Sequence, residues 1–169
     1  MARKSGSRLF LICVGAALAL AACGGADTNA VSSGNEAVLM TPARLKSEAS
    51  FLGQPIYWAG PRKGYEYEFQ RTATGYVYVR YLAQGLPAGA AGKFLTVATY
   101  PFIGAFKGVK AAGKGKAFAG PGGSIIYVRP DPTSVLVAFP GIDYEIEIYD
   151  PSPLVARLTA ESGRVRAVS

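Results

Sequence analysis

The chain has 169 residues, half of them hydrophobic, with 18 basic and 11 acidic side chains and no histidine. That length suggests one ordinary domain with appendages, and so large an apolar fraction excludes a wholly disordered polypeptide. Lack of histidine excludes a Ser-His-Asp triad, a histidine general base and a histidine metal site. The formal charge is +7, but Arg3, Lys4 and Arg8 lie at the very start. The +4 of the remainder is too mild to argue for a nucleic-acid partner, whose binders concentrate charge into a patch.

The first eight residues carry Arg3, Lys4 and Arg8, and residues 9–20 follow as an uncharged, mostly apolar run. This is the order of a secretory leader, with the basic end kept inside and the rest sent outward. Twelve residues are too few to cross about 30 Å of hydrocarbon as a helix. Arg3-Lys4 is not a twin arginine, which points to general secretion. The run ends in Leu20-Ala21-Ala22-Cys23, which resembles the lipobox of bacterial lipoproteins. The resemblance implies cleavage before Cys23, acylation of its thiol, and an anchor at the extracytoplasmic face of a membrane. One acyl chain of the palmitate class holds only marginally, but two or three hold firmly. Loss of the leader takes Cys13 with it, leaving one cysteine and no disulfide within the mature chain. Fifteen basic and eleven acidic residues then remain, a net +4. That excess is compatible with loose attraction to anionic lipid or cell-wall polymer.

Residues 23–37 are small and polar with no apolar period, and read as the lipidated cysteine followed by a flexible tether of roughly 20 Å reach. A single globular domain is expected over 38–169. Thr41-Pro42 reads as an N-cap and first helical residue, with Leu45, Ala49 and Leu52 at helical spacing and Gly53 as the stop. Residues 55–59 suggest a short strand. The alternating runs 65–71 and 76–82, joined through 72–75, predict a hairpin with Tyr65, Tyr67 and Phe69 on one face and Glu66, Glu68 and Gln70 on the other. Residues 85–92 read as a loop and 94–100 as a strand. Past Pro101 the pattern is ambiguous: Ile103, Phe106 and Val109 fit a helix that Gly104 and Gly108 each weaken by about 1 kcal/mol. After the break at 120–123, three strands follow at 124–129, 134–139 and 144–149. A last helix is expected over 153–162, capped by Asp150 or Ser152, with Leu154 and Leu158 inward and Gly163 ending it. Six or seven strands with two or three helices, in runs rather than strict alternation, predict an α+β fold around a mainly antiparallel sheet. Residues 55–60 and 149–153 resemble phrases of uncharacterised bacterial secreted domains, a likeness that implies no activity.

The chemistry that remains is narrow. Cys23 is assigned to lipid, so no cysteine nucleophile is left, and Ser-x-x-Lys does not occur. Residues 108–114 match a phosphate-binding loop until Gly115, where the motif needs a hydroxyl for magnesium. Neither a cofactor nor a metal site is therefore expected. Lys107, Lys110, Lys114 and Lys116 are candidates for contact with anionic lipid or wall polymer. Asp131, Asp143 and Asp150 suit turns, and their spacing matches no calcium loop. Ten tyrosines and Trp58 invite sugar stacking, but Tyr57 and Trp58 would face opposite sides of a strand, and aromatics are ordinary core residues.

Glu66, Glu68, Glu145 and Glu147 form two pairs at strand period, with Arg71, Arg80 and Arg129 as cross-strand partners. Brought together, two such carboxylates are what glycoside hydrolysis needs. The leading expectation is a non-enzymatic lipoprotein that holds its domain outside the membrane for an envelope protein or cell-wall polymer. The alternative is a hydrolase of envelope glycan using two of those glutamates. An enzyme requires one glutamate with a raised pKa in a cleft, whereas a binding module is expected to leave all four exposed.

Overall fold

The computed structural model describes residues 36–169. The leader, Cys23 and all of the tether except Glu36 and Ala37 lie outside the described residues. Strand β1 (Val38–Met40) opens the fold, followed by helix α1 (Pro42–Leu52). The Thr41 hydroxyl accepts the Arg44 N–H, Pro42 takes the first turn, and Gly53 ends the helix in the left-handed conformation, so the anticipated caps are all in place. After β2 (Tyr57–Trp58), strands β3 (Tyr65–Arg71) and β4 (Val77–Ala83) form the hairpin, and β5 (Thr96–Pro101) follows a loop.

Helix α2 (Ala105–Ala112) resolves the ambiguous stretch. Gly104 precedes it with φ of 72°, and Ile103 lies outside the helix and is 88% exposed, contrary to its expected place in the stripe. Then come β6 (Phe118–Ala119), β7 (Ile125–Val128), β8 (Ser134–Ala138), β9 (Tyr144–Tyr149), helix α3 (Pro153–Glu161) and β10 (Arg166–Ala167). Eight strands form one antiparallel sheet in the order β1-β3-β4-β5-β9-β8-β7-β6, and β10 pairs with β2 in a small ribbon. The fold is α+β as expected. The strand count is higher than six or seven because β1, β6 and β10 are too short to show a period of two.

One face of the sheet is the core. Phe69, Val79, Val97, Ile148 and Val135 stand side by side across five strands, each almost fully buried. Burial of such a side chain stabilises by about 1.5–3 kcal/mol. Leu45 of α1, Ala156 and Ala160 of α3, and Tyr57 and Trp58 of the ribbon complete this layer. Leu154 and Leu158 were expected inward on α3 but are 64% and 54% exposed. Both pairs recur every four residues, so periodicity alone cannot choose between them, and the small alanines let the helix backbone approach the sheet closely. Helix α2 packs on the opposite face, with Ala105 and Val109 against Ile125, Leu136 and Ala138. It covers the β7–β8 side of that face, and the β4–β5 loop closes over part of the other side.

Candidate functional site

Strand register puts all four glutamates on the face opposite the core. Strands β4 and β5 stand between β3 and β9. At about 4.8 Å per strand the two pairs are therefore about 14 Å apart, beyond the span that two hydrolytic carboxylates share. Glu66 is half-buried opposite Leu82. Glu68 is only 1% exposed. Its Oε1 accepts from Arg80 Nη1 at 2.6 Å, and its Oε2 accepts the Gly89 N–H at 2.6 Å. Arg80 also donates to the Ala90 carbonyl and lies 5.0 Å from the Phe94 ring centroid, so the β4–β5 loop seals this pair. The expectation that a binding module exposes all four glutamates is thus corrected: Glu68 is buried, and Glu66, Glu145 and Glu147 are each only partly exposed. Residues directly opposite on neighbouring strands meet, and the loop that joins the partner strand supplies the roof.

Glu147 belongs to a different environment. Its Oε1 accepts from Arg129 Nη1 at 3.1 Å and from the Ser134 hydroxyl, and its Oε2 accepts from the Tyr100 hydroxyl at 2.8 Å. Ser134 lies on the adjacent strand, and Arg129 just follows β7 and reaches across β8. The Tyr100 hydroxyl titrates well above its ordinary value, first because it is buried and then because it is bonded to Glu147, so it remains a donor. Glu145, two residues earlier on the same face, is half-buried, and no hydrogen bond or ion pair to it is found among the described residues. Its carboxyl is raised above the usual 4.5, first by desolvation and then by the Glu147 charge, with Arg129 partly offsetting both. Arg71, the third candidate partner, shares the core-facing row with Val77, and its buried Nε has no hydrogen-bond partner.

Around these carboxylates the sheet is open. Ala98, with a side chain too small to fill the space, sits between Tyr78 and Glu147 in the register and leaves a hollow of about 240 Å³ floored also by Thr96, Tyr100 and Tyr149. It runs into a second hollow of about 410 Å³ beside Tyr76, Phe102, Arg129 and Glu145. Tyr76 and Tyr78 each meet Tyr100 edge to face, with centroids 4.9 and 6.0 Å apart. Phe102 is placed by helix α2. A methyl group on Gly108 would come within 2.5 Å of the Phe102 ring, so the glycine that weakens the helix makes room for a wall of the hollow.

Most other candidates do not converge on one place. Lys107, Lys110, Lys114 and Lys116 are exposed along α2 and the turn after it. Residues 108–112 of the broken phosphate-loop pattern are helical, so they form no loop that would cradle a phosphate. Asp131 accepts from Thr133, Asp143 from the Gly104 N–H and Asp150 from the Ser152 N–H, each within its own turn or junction. No cluster of three His, Cys, Asp or Glu residues able to hold a metal occurs among the described residues. Tyr57 stacks on Phe139 and Trp58 meets Tyr67 edge to face, both deep in the core. A separate cavity of about 300 Å³ between α3 and the segment after β2 is bordered by Leu158, Arg62 and Arg164. Cys23 lies outside the described residues.

Sequence reasoning identified Glu145 and Glu147 but missed Tyr76, Tyr78, Tyr100, Phe102 and Ser134. Alternation does place Tyr76, Tyr78 and Arg80 on one strand face. Nothing in the sequence states that β9 inserts beside β5, which is what brings Tyr100 to Glu147. No family model, curated protein or solved structure matches the chain.

Proposed function

We propose that the protein is a non-enzymatic lipoprotein, anchored through acylated Cys23 at the extracytoplasmic face of a membrane, whose domain binds an envelope protein or cell-wall polymer through the open half of its sheet. The observation that supports this most is the tyrosine-lined hollow around Glu147. Tyr76, Tyr78, Tyr100 and Phe102 gather with Glu145, Glu147 and Arg129 around a depression left uncovered between helix α2 and the β4–β5 loop. Its lining is concave and largely apolar with a few polar groups, of the kind that binding sites use. The leader and the lipobox support the anchor. No helix among the described residues is long and apolar enough to cross a membrane.

The test is site-specific photo-cross-linking in intact cells. A cross-linker at Tyr78 is expected to capture a reproducible product that one at Lys46, on the solvent side of helix α1, does not. Equal capture from both positions would overturn the assignment of the face. Replacement of Cys23 by serine is expected to release the chain from the membrane fraction.

The hydrolase reading retains one observation in its favour, the raised Glu145 beside Glu147. Both carboxylates nevertheless rise from one strand on one face, so a substrate would lie over them rather than between them. Release of soluble fragments from purified wall glycan by the full chain, abolished by Glu145→Gln, would restore that reading.

A further inference from the structure

We propose that the wider hollow takes an alkylammonium group, such as the end of a lysine-like side chain, with its nitrogen at Glu145 and its methylenes against Tyr76, Tyr78 and Phe102. This assignment rests on the binding role above and names the chemistry of the ligand.

Three observations carry it. The first is charge: Glu145 and Glu147 face the hollow together and, among the described residues lining it, Arg129 alone answers them, so one carboxylate charge is left over. The second is hydrogen bonding. Both oxygens of Glu147 are engaged by Tyr100, Arg129 and Ser134, whereas Glu145 offers its oxygens to whatever enters. A primary ammonium donates three hydrogen bonds and accepts none, which suits an unengaged carboxylate; a quaternary ammonium donates none and a neutral sugar brings no charge. The third is the walls. Four aromatic rings line the hollow, and the electron-rich faces of such rings attract cations most strongly where water is partly excluded. Tyr76 and Phe102 are 40% and 44% exposed, so they can take up a ligand without opening the core. The Glu145 carboxyl, destabilised in its charged form by burial and by Glu147, gains from a neighbouring cation what it lacks in the free protein.

The experiment titrates n-butylammonium chloride into the full chain in non-ionic detergent, followed by ligand-observed NMR. N-butylacetamide, tetramethylammonium and a neutral disaccharide serve as comparison ligands. Saturable binding of butylammonium is expected, with Glu145→Gln weakening it about tenfold or more, equivalent to at least about 1.4 kcal/mol. Glu161→Gln, in the exposed pair on α3, is expected to leave it unchanged. Butylacetamide or the disaccharide binding as well as the amine would overturn the assignment, as would tetramethylammonium binding more tightly. An unchanged affinity in a folded Glu145→Gln chain would also overturn it. Selective cross-linking at Tyr78 without amine binding would leave the binding role standing and remove only the ammonium ligand. Loss of both would remove the site.

Discussion

The same face of one sheet carries two arginine–carboxylate pairs, and they have opposite fates. Glu68 and Arg80 are directly opposed across β3 and β4, and the loop joining β4 to β5 folds over them, giving a backbone N–H to one and a carbonyl to the other. Glu147 and Arg129 are reached across an intervening strand, the further partners of Glu147 among the described residues are side chains, and the Arg129 side chain is half exposed. Backbone groups from a covering loop turn an ion pair into part of the interior. Side-chain partners around an open hollow leave the carboxylate satisfied but accessible, which is the condition for a site.

The comparison breaks most visibly at Arg80. Arg80→Ala leaves the buried Glu68 carboxylate without its counter-charge, and a loss of about 3–5 kcal/mol is expected in urea unfolding. Arg129→Ala is expected to cost less than about 1 kcal/mol, because that guanidinium is 49% exposed and its attraction is screened by water. Equal losses at the two sites would show that the hollow is not open in solution. The smallest effect is expected from Glu145→Gln and is read in pH dependence. The folded carboxyl is raised above 4.5 by burial and Glu147, so it favours the folded state when protonated. That stability is fully present below 4.5 and is lost as pH rises through the higher folded value. The charged groups acting on it are Glu147 and Arg129. Unfolding curves across this window are expected to show a stability decline in the wild type that Glu145→Gln lacks. Matching slopes would place Glu145 in free solvent.

The sequence made the closed parts of the molecule legible more readily than the open ones. The hairpin 65–83 announces itself because its alternation is long, and α1 because Thr41, Pro42 and Gly53 bracket it. Hydrophobicity favours Leu154 and Leu158 as the inward stripe of α3, yet Ala156 and Ala160 take that place because alanine permits the closer approach. The hollow escaped for a topological reason. Tyr100 and Glu147 are 47 residues apart and meet only because β9 lies between β5 and β8. Gly108 looked like a flaw in a helix until the position of Phe102 showed what it accommodates.

The two outermost strands of the large sheet are also its short ones, β1 with three residues and β6 with two, while the seven-residue β3 and β4 are inside. For a protein tethered as proposed, neighbouring copies share a surface and meet far more often than they would in free solution. Long bare sheet margins would then invite copy-to-copy strand addition, since unpaired N–H and C=O groups template it. Margins of two and three residues offer little to grip, so the arrangement that hid these strands from sequence reasoning also lets many copies stand close together without zipping into fibres.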